Sequence, residues 1–400
     1  MTVVFEALNT LYGDCLLLRY PGPDGNERLW IVDGGPRSER VGEASIAVWR
    51  DVLLPRLRAL SPNHPLPVAL GMVSHIDDDH INGILRITQG LVAASPANPA
   101  ELVFKRFWFN SFDAIVGPTP FTAHRASATP AALAGAILPQ IGGGDGEAVI
   151  QSVGQGISLR ADLETLHLGG NQPVNGLISA KEGQASYNID GAKVTVLGPR
   201  QKQLDELRKD WLKALSKPTK EARETALLSL FLPESKLDHA VANLSSIVVW
   251  VEVAGKTLLL TGDARGDDIV KAWSELGLPP PPVALDILKL PHHGSSRNNP
   301  ESFLDHFAAT HYVFSANGKY DNPDPPVIEA VVKKHGMRPI VLHFTNADVM
   351  WSAPYKLEKS GAAVQSLPAM LSALQAAYPG PWSFRCRPHE APGVAITLDA

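Results

Sequence analysis

Short apolar runs of strand length alternate with amphipathic stretches along this chain. Residues 3–7, 15–20 and 29–33 are three such runs, and Pro21-Gly22-Pro23-Asp24-Gly25 between the last two predicts a hairpin. Trp49, Leu53 and Leu57 recur at helical spacing over 44–60, with Pro55 expected to kink the helix. A continuous apolar strand, Val68-Ala69-Leu70-Gly71-Met72-Val73, follows, then a second candidate at 102–110. Leu204, Leu207, Trp211 and Leu215 share one face of a helix over 201–215. The second half keeps a strand–helix rhythm. A hairpin is predicted at 247–253 and 257–261, strands at 286–289, 312–315 and 340–343, helices at 300–309 and 326–334, and a closing hairpin from 382–387 and 394–398. This order predicts an α/β protein of two αβ halves packed sheet to sheet with helices outside. A single domain over 1–400 is expected. Residues 111–191, rich in Ala, Gly, Pro and Ser, form one insertion, and 200–242 a second, helical one.

Composition narrows the class. The 400 residues are 44% hydrophobic and 19% charged, as in a globular protein with ample core. A net charge of −5 excludes a surface that attracts nucleic acid everywhere, so any such contact must be local. No apolar run is long enough to span a bilayer, and the first residues lack a secretory signal pattern, so no membrane association and a cytoplasmic setting are expected. Cys15 and Cys386 are expected to be unpaired thiols.

The densest chemistry is Ser74-His75-Ile76-Asp77-Asp78-Asp79-His80, where two imidazoles and three carboxylates follow a buried-type strand. Open α/β sheets place active sites at such strand ends. Two later strands end alike: one in Thr261-Gly262-Asp263 and one in Lys289-Leu290-Pro291-His292-His293-Gly294-Ser295. Asp263 alone could cap a helix starting near Asp267, and Asp33 could serve only its Gly34-Gly35 turn. Side chains of this kind, converging from distant sequence, suit divalent cations.

In these motifs the chain resembles the metallo-β-lactamase fold superfamily, and within it the hydrolase domain of the bacterial DNA-uptake (competence) protein and its stand-alone relatives. The shared segments are His75-x-Asp77-x-Asp79-His80, Gly13-Asp14, Asp33-Gly34-Gly35, Asn243…Ser246, Thr261-Gly262-Asp263 and Lys289…His292-His293-Gly294-Ser295. The resemblance implies a four-layer αβ/βα sandwich with insertions and two divalent ions, zinc or manganese, that hold a hydroxide. It implies that His75 and Asp77 bind one ion and Asp79 and His80 the other, bridged by Asp263. It assigns the late ligand to His293 and contact with the substrate oxyanion to His292, an order the sequence leaves open. Asp79, Asp263 and His292 are the implied catalytic groups, and Lys289, Ser295 and Asn322 the implied substrate contacts. Two departures stand out. The mid-chain histidine ligand is replaced by Gly198-Pro199, and Tyr320-Asp321-Asn322-Pro323 has Asn322 where relatives carry a histidine, so Asp324 or His343 would have to donate its proton. The implied activity is phosphodiester hydrolysis of nucleic acid or a small phosphoester. Hydrolysis of a small ester, lactone or thioester, and a non-catalytic binding module, are the alternatives.

Overall fold

The structure, a computed structural model, describes residues 2–37, 39–41, 44–111, 114–115, 144–184, 186–216, 243 and 245–399. Two large sheets dominate it. The first has six strands in the spatial order Gly393–Asp399, Thr2–Leu8, Leu16–Pro21, Glu27–Val32, Leu70–Val73, Phe107–Phe109. The second has eight: Tyr187–Ile189, Ala192–Gly198, Val248–Val253, Lys256–Leu260, Val283–Lys289, Phe307–Phe314, Val341–Phe344 and Ser383–Cys386.

Strand periodicity explains the layering. Successive side chains point to opposite faces, so a strand buried on both faces is apolar throughout. Leu16, Leu18 and Tyr20 enter the core between the sheets, where they meet Val249, Val251, Leu258 and Leu260 of the second sheet. Leu17 and Ile31 point outward, against Ile81, Ile84 and Leu85 of the helix Asp78–Val92 and Leu159 and Leu163 of the helix Gly144–Thr165. On the far side Leu259 and Leu288 pack under Trp273, Phe303, Val331 and Leu371, which belong to four outer helices. The result is the helix–sheet–sheet–helix sandwich expected from the sequence.

Three elements differ from that expectation. The closing hairpin does not form: Ser383–Cys386 runs parallel to Val341–Phe344 in the second sheet, whereas Gly393–Asp399 pairs antiparallel with Thr2–Leu8 in the first. Arg387 holds the crossover, donating to the carbonyls of Thr345, Pro388, His389 and Ala391. The helix predicted over 44–60 begins later, as a π-helical segment Trp49–Leu53 that runs straight into the α-helix Leu54–Leu60, with Pro55 at the junction. The strand at 102–110 splits into Leu102–Phe104 and Phe107–Phe109, which pair in different sheets. Part of the region read as an insertion enters the core through Leu159 and Leu163, while 112–113, 116–143 and 217–242 lie outside the described residues. Of the apolar face at 201–215, Leu204 is buried. The predicted hairpins at Leu16–Val32 and Val248–Leu260 are present.

Candidate metal centre

Parallel pairing sets where the chemistry lies. Glu27–Val32 pairs parallel with Leu70–Val73, and Lys256–Leu260, Val283–Lys289 and Phe307–Phe314 pair parallel in turn. Their C-terminal ends release Asp33, Ser74-His75, Asp263, His292-His293 and Ser315 along one edge of the sandwich. The loop joining the first two strands brings Asp14 to the same edge.

Close backbone contacts fix these loops. The Asp14 N–H donates to the Asp79 carbonyl (3.2 Å), Gly34 N–H to the His80 carbonyl (2.7 Å) and Gly35 N–H to the Asp14 carbonyl (2.7 Å). Gly13 has φ +83°, and a Cβ there would lie 2.0 Å from the Asp79 carbonyl oxygen. A Cβ on Gly83 would lie 2.0 Å from the Gly34 oxygen, so the helix bearing Asp79 and His80 sits directly on the Asp33-Gly34-Gly35 turn. His292 and His293 occupy consecutive left-handed positions (φ 47° and 55°), as does Asp33 (φ 59°). Strain of this kind in non-glycine residues persists where surrounding structure enforces it, and it gathers at functional sites.

The imidazoles and acids meet. One donor atom from each of Asp14, His80, Asp263 and His293 lies within 4.8 Å of the others, and all four residues are buried. Asp263 Oδ1 is 3.3 Å from His80 Nε2, and His293 Nε2 is 3.5 Å from both Asp263 Oδ2 and Asp79 Oδ2. A second group adjoins it through the same carboxylate. His75 Nε2 lies 3.6 Å from Asp77 Oδ2 and 3.9 Å from Asp263 Oδ2, and His292 Nε2 lies 3.5 Å from Asp263 Oδ2. Asp263 thus stands between two donor sets. It does not cap the helix Gly266–Glu275, whose N-cap is Arg265.

The atoms aimed inward lack hydrogen-bond partners. Nε2 of His75, His80 and His293 and Oδ1 of Asp263 are all buried and unsatisfied. Buried polar atoms are normally paired, so a set of orphans around one point marks a place for another group. Their opposite atoms are held firmly. Asp33 Oδ2 accepts from Ser74 Oγ (2.7 Å) and sits 2.9 Å from His80 Nδ1, while Asp33 Oδ1 accepts from Ser74 N–H (2.7 Å). Ser74 Oγ is also 3.0 Å from His75 Nδ1, and Ser315 Oγ is 3.1 Å from His293 Nδ1 and donates to Asp14. Carboxylates and hydroxyls that fix the far ring nitrogen are the usual support for histidines that ligate metal. The donor set, imidazoles and carboxylates in equal number, fits divalent cations.

Charge in the cluster tells the same story. Burial pushes the Asp14 carboxyl up, but Lys289 and then His293 outweigh it and hold it well below the usual range. Burial likewise raises Asp79, and the His80 charge with His293 brings it down to about 2. Asp263 stays well below its ordinary value because His292, His293 and His80 overcome its burial. In return, His80 is lifted by Asp263, Asp79 and Asp33 against its burial, and His293 by Asp263 and Asp14 against its own. Without metal, imidazolium protons balance the carboxylates.

No family model matches the chain. A segment aligns with ComE operon protein 3 of Bacillus subtilis (strain 168), 30% identical over 103 residues, which is 25% of this chain and 13% of that protein. Over that segment the chain is similar to that protein at modest identity. The chain thus matches only a small part of its curated relative. Among solved structures, a variant of the CmlA β-hydroxylase superposes with a TM-score of 0.37 at 9% identity, over 99% of this chain and 54% of the other. CmlA itself, a diiron β-hydroxylase from Streptomyces venezuelae, gives 0.36 at 10% identity, over 100% and 54%. Superpositions this loose carry no argument about chemistry.

Of the residues expected at the site, His75, Asp77, Asp79, His80, Asp263, His292 and His293 lie together. Three other expected site residues lie differently. Lys289 is fully buried, 2.9 Å from Asp14 Oδ2, and donates to the Leu290 carbonyl (3.0 Å), so it is an internal counter-charge and not a donor to substrate. Ser295 shapes the histidine loop through its backbone, its N–H donating to the His292 carbonyl (2.8 Å). Asn322 belongs to a neighbouring turn, where its carbonyl accepts from Gly318 N–H (2.9 Å). Of the substitute proton donors, His343 is buried, sits with its Nε2 3.0 Å from His311 Nδ1 and is pushed down to about 3 by burial, His311 and Arg385, so near neutral pH it is not the imidazolium a proton donor needs. Asp324 stands at the N-cap position of the helix Pro325–His335, and its carboxylate accepts from Ser296 N–H (2.7 Å). Asp14 and Ser315 were not foreseen as part of the site. Gly13-Asp14 was the available signal, because a glycine beside an acid at a strand end suits close packing.

Proposed function

We propose that the chain is a metal-dependent hydrolase of phosphodiester bonds, with nucleic acid or a small phosphoester as substrate and two divalent ions, zinc or manganese, as cofactors. The observation that carries this reading is the set of orphaned, buried donor atoms around Asp263. His80, His293 and Asp14, with Asp79 at their edge, would hold one ion; His75, Asp77 and His292 would hold or flank the other; Asp263 would serve both. Such ions supply Lewis acidity toward phosphoryl oxygens and make water a nucleophile near neutral pH.

The chain's own residues do the rest. Asp33 and Ser74 hold the His80 and His75 rings in one orientation, and Ser315 does so for His293. Lys289 keeps Asp14 ionised. Asp77, with its side chain 36% exposed, Asp79 (23%) and His292 (26%) form the open side, where a substrate oxygen can reach. His292 Nε2 is aimed by its Nδ1, which sits 3.0 Å from Asn298 Oδ1, and is placed to donate to a developing negative oxygen. Phosphodiester preference is supported by the sequence resemblance to the competence-type hydrolase branch and by the mixed imidazole and carboxylate donor set.

The test measures bound metal, then turnover of single-stranded DNA, duplex DNA, RNA and bis-p-nitrophenyl phosphate with added manganese or zinc. Asp263→Ala and Asp79→Ala are the controls. Metal-dependent turnover lost in both variants supports the reading. Turnover of carboxylic esters or thioesters alone would replace it with small-molecule ester hydrolysis, and full metal content without turnover of either class would leave a binding module.

A further inference from the structure

Beside the metal centre the chain presents an aromatic ring to solvent on a strained turn. Tyr320 is 78% exposed, the one aromatic among the exposed large hydrophobic side chains of the described residues. It stands at φ 60°, followed by Asp321 at φ 64°. Two consecutive non-glycine residues in this region are uncommon and strained. The turn is nevertheless pinned. The Asp321 carboxylate accepts from Ser352 N–H (2.6 Å) and Ser352 Oγ (2.5 Å), and Asp321 N–H donates to the Gly318 carbonyl (2.9 Å). Gly318 has φ +91°, and a Cβ there would meet the Met350 carbonyl oxygen at 2.7 Å. Met350 is itself 60% exposed. Folding leaves most of the Tyr320 side chain in solvent.

Tyr320 does not stand alone. Its ring is edge-on to Tyr12, with centroids 6.4 Å apart. Lys319 Nζ sits 3.6 Å from the Tyr12 centroid and 5.4 Å from that of Tyr320. The group borders the metal centre by chain connectivity. Tyr12 precedes Asp14 by two residues, a Cα separation of at most about 7 Å. Ser315, at the start of the segment leading to Lys319, donates to Asp14. Asn346 Nδ2 ties the two loops together, bonding the carbonyls of Leu11 (3.1 Å) and Ala316 (2.8 Å).

We propose that Tyr320, backed by Tyr12 and Lys319, is a stacking platform for an unpaired nucleobase next to the phosphodiester handled at the metal centre. A flat ring face joined to a cation suits a base and its phosphate, because stacking tolerates any base and the ammonium answers the backbone charge. The chain's net charge of −5 gives no general attraction for polyanions, so affinity has to come from a local arrangement such as this. Substrate selection follows: single strands and frayed ends enter, whereas bases stacked within a duplex do not offer a free face. The inference rests on the phosphodiesterase reading for its purpose, but its test does not need turnover.

Fluorescence anisotropy in EDTA measures binding of single-stranded oligonucleotides, intact or carrying abasic residues, to the full chain and to Tyr320→Ala and Tyr320→Phe. Removing a stacking ring is expected to weaken intact-strand binding by about 5- to 150-fold, down to the abasic level. Tyr320→Phe keeps the affinity, and matched duplex binds more weakly than single strand. Equal affinity of wild type and Tyr320→Ala for intact and abasic strands overturns the platform, as does absence of strand binding by the wild type. Stacking without hydrolysis at any metal keeps the platform and removes the phosphodiesterase. Hydrolysis indifferent to Tyr320 does the reverse.

Discussion

Replacing Lys289 by Met leaves the shape of the interior nearly unchanged and removes one charge. Lys289 and Asp14 are 2.9 Å apart with side chains 0% and 1% exposed. At an effective dielectric of about 20, attraction at that separation is about 6 kcal/mol, which sets the ceiling. Breaking a buried pair by removing one partner typically costs about 3–5 kcal/mol, because the other charge is stranded. Ser315 and His293 still face Asp14, so a loss near the lower end, about 3 kcal/mol, is expected for the metal-free protein. Asp14→Asn in the same background removes the stranded charge. The double variant should therefore lose at least about 2 kcal/mol less than the sum of the two single losses. A cation at the cluster would take over part of the lysine's work, so Lys289→Met should be milder with metal than in EDTA. Urea unfolding of the four proteins in each condition measures all of this. A loss under about 1 kcal/mol in EDTA, or strict additivity, would refute the counter-charge argument.

The remaining expectations address the cluster directly. Asp33→Ala frees the His80 and His75 rings and should weaken metal affinity by about 10- to 100-fold with the fold intact, read by competition with a chelating dye and by circular dichroism. Metal uptake should release protons and strengthen as pH rises, because His80 and His293 hold protons above their ordinary range in the metal-free protein; calorimetry in buffers of different ionisation enthalpy reports the count, and no proton release would contradict it. The same shifts give the metal-free protein a stability window. The raised histidines contribute below about 6.5 and lose that contribution as pH climbs through their raised values. The lowered Asp14, Asp79 and Asp263 contribute above their ordinary value of 3.8 and lose it as pH falls through their lowered ones, near 2 for Asp79, so melting in EDTA should peak between those limits. Gly13→Ala forces a Cβ to 2.0 Å from the Asp79 carbonyl at φ +83° and should destabilise by at least about 1–3 kcal/mol, whereas Gly25→Ala, in open space at φ +79°, pays for backbone strain alone.

Much of this architecture was legible because the chemistry follows strands. His75–His80, Asp263 and His292-His293 each come directly after an apolar run, so strand ends in a parallel sheet were enough to suggest convergence. Periodicity also revealed both antiparallel hairpins, whose turns are local. What escaped notice depends on partners far along the chain. Ser383–Cys386 and Gly393–Asp399 have strand patterns that suit a hairpin equally well, and only pairing with Val341–Phe344 and Thr2–Leu8 separates them. A lysine at a strand end reads as a solvent-facing donor until Asp14, brought in by another sheet, makes burial tolerable. Asp14 itself has no spacing signature, since it stands alone in its loop.

The donor atoms come from both sides of a seam. Asp14 and His75 ride on loops of one sheet and His80 on the helix that follows, Asp263 and His293 on loops of the other, and between them lies the apolar interior shared by Val3, Phe5, Val249 and Leu258. A cation gripped by that set would act as a rivet between the halves. Amide exchange along Thr2–Leu8 and Lys256–Leu260 should then slow together when metal is added, although neither strand supplies a ligand.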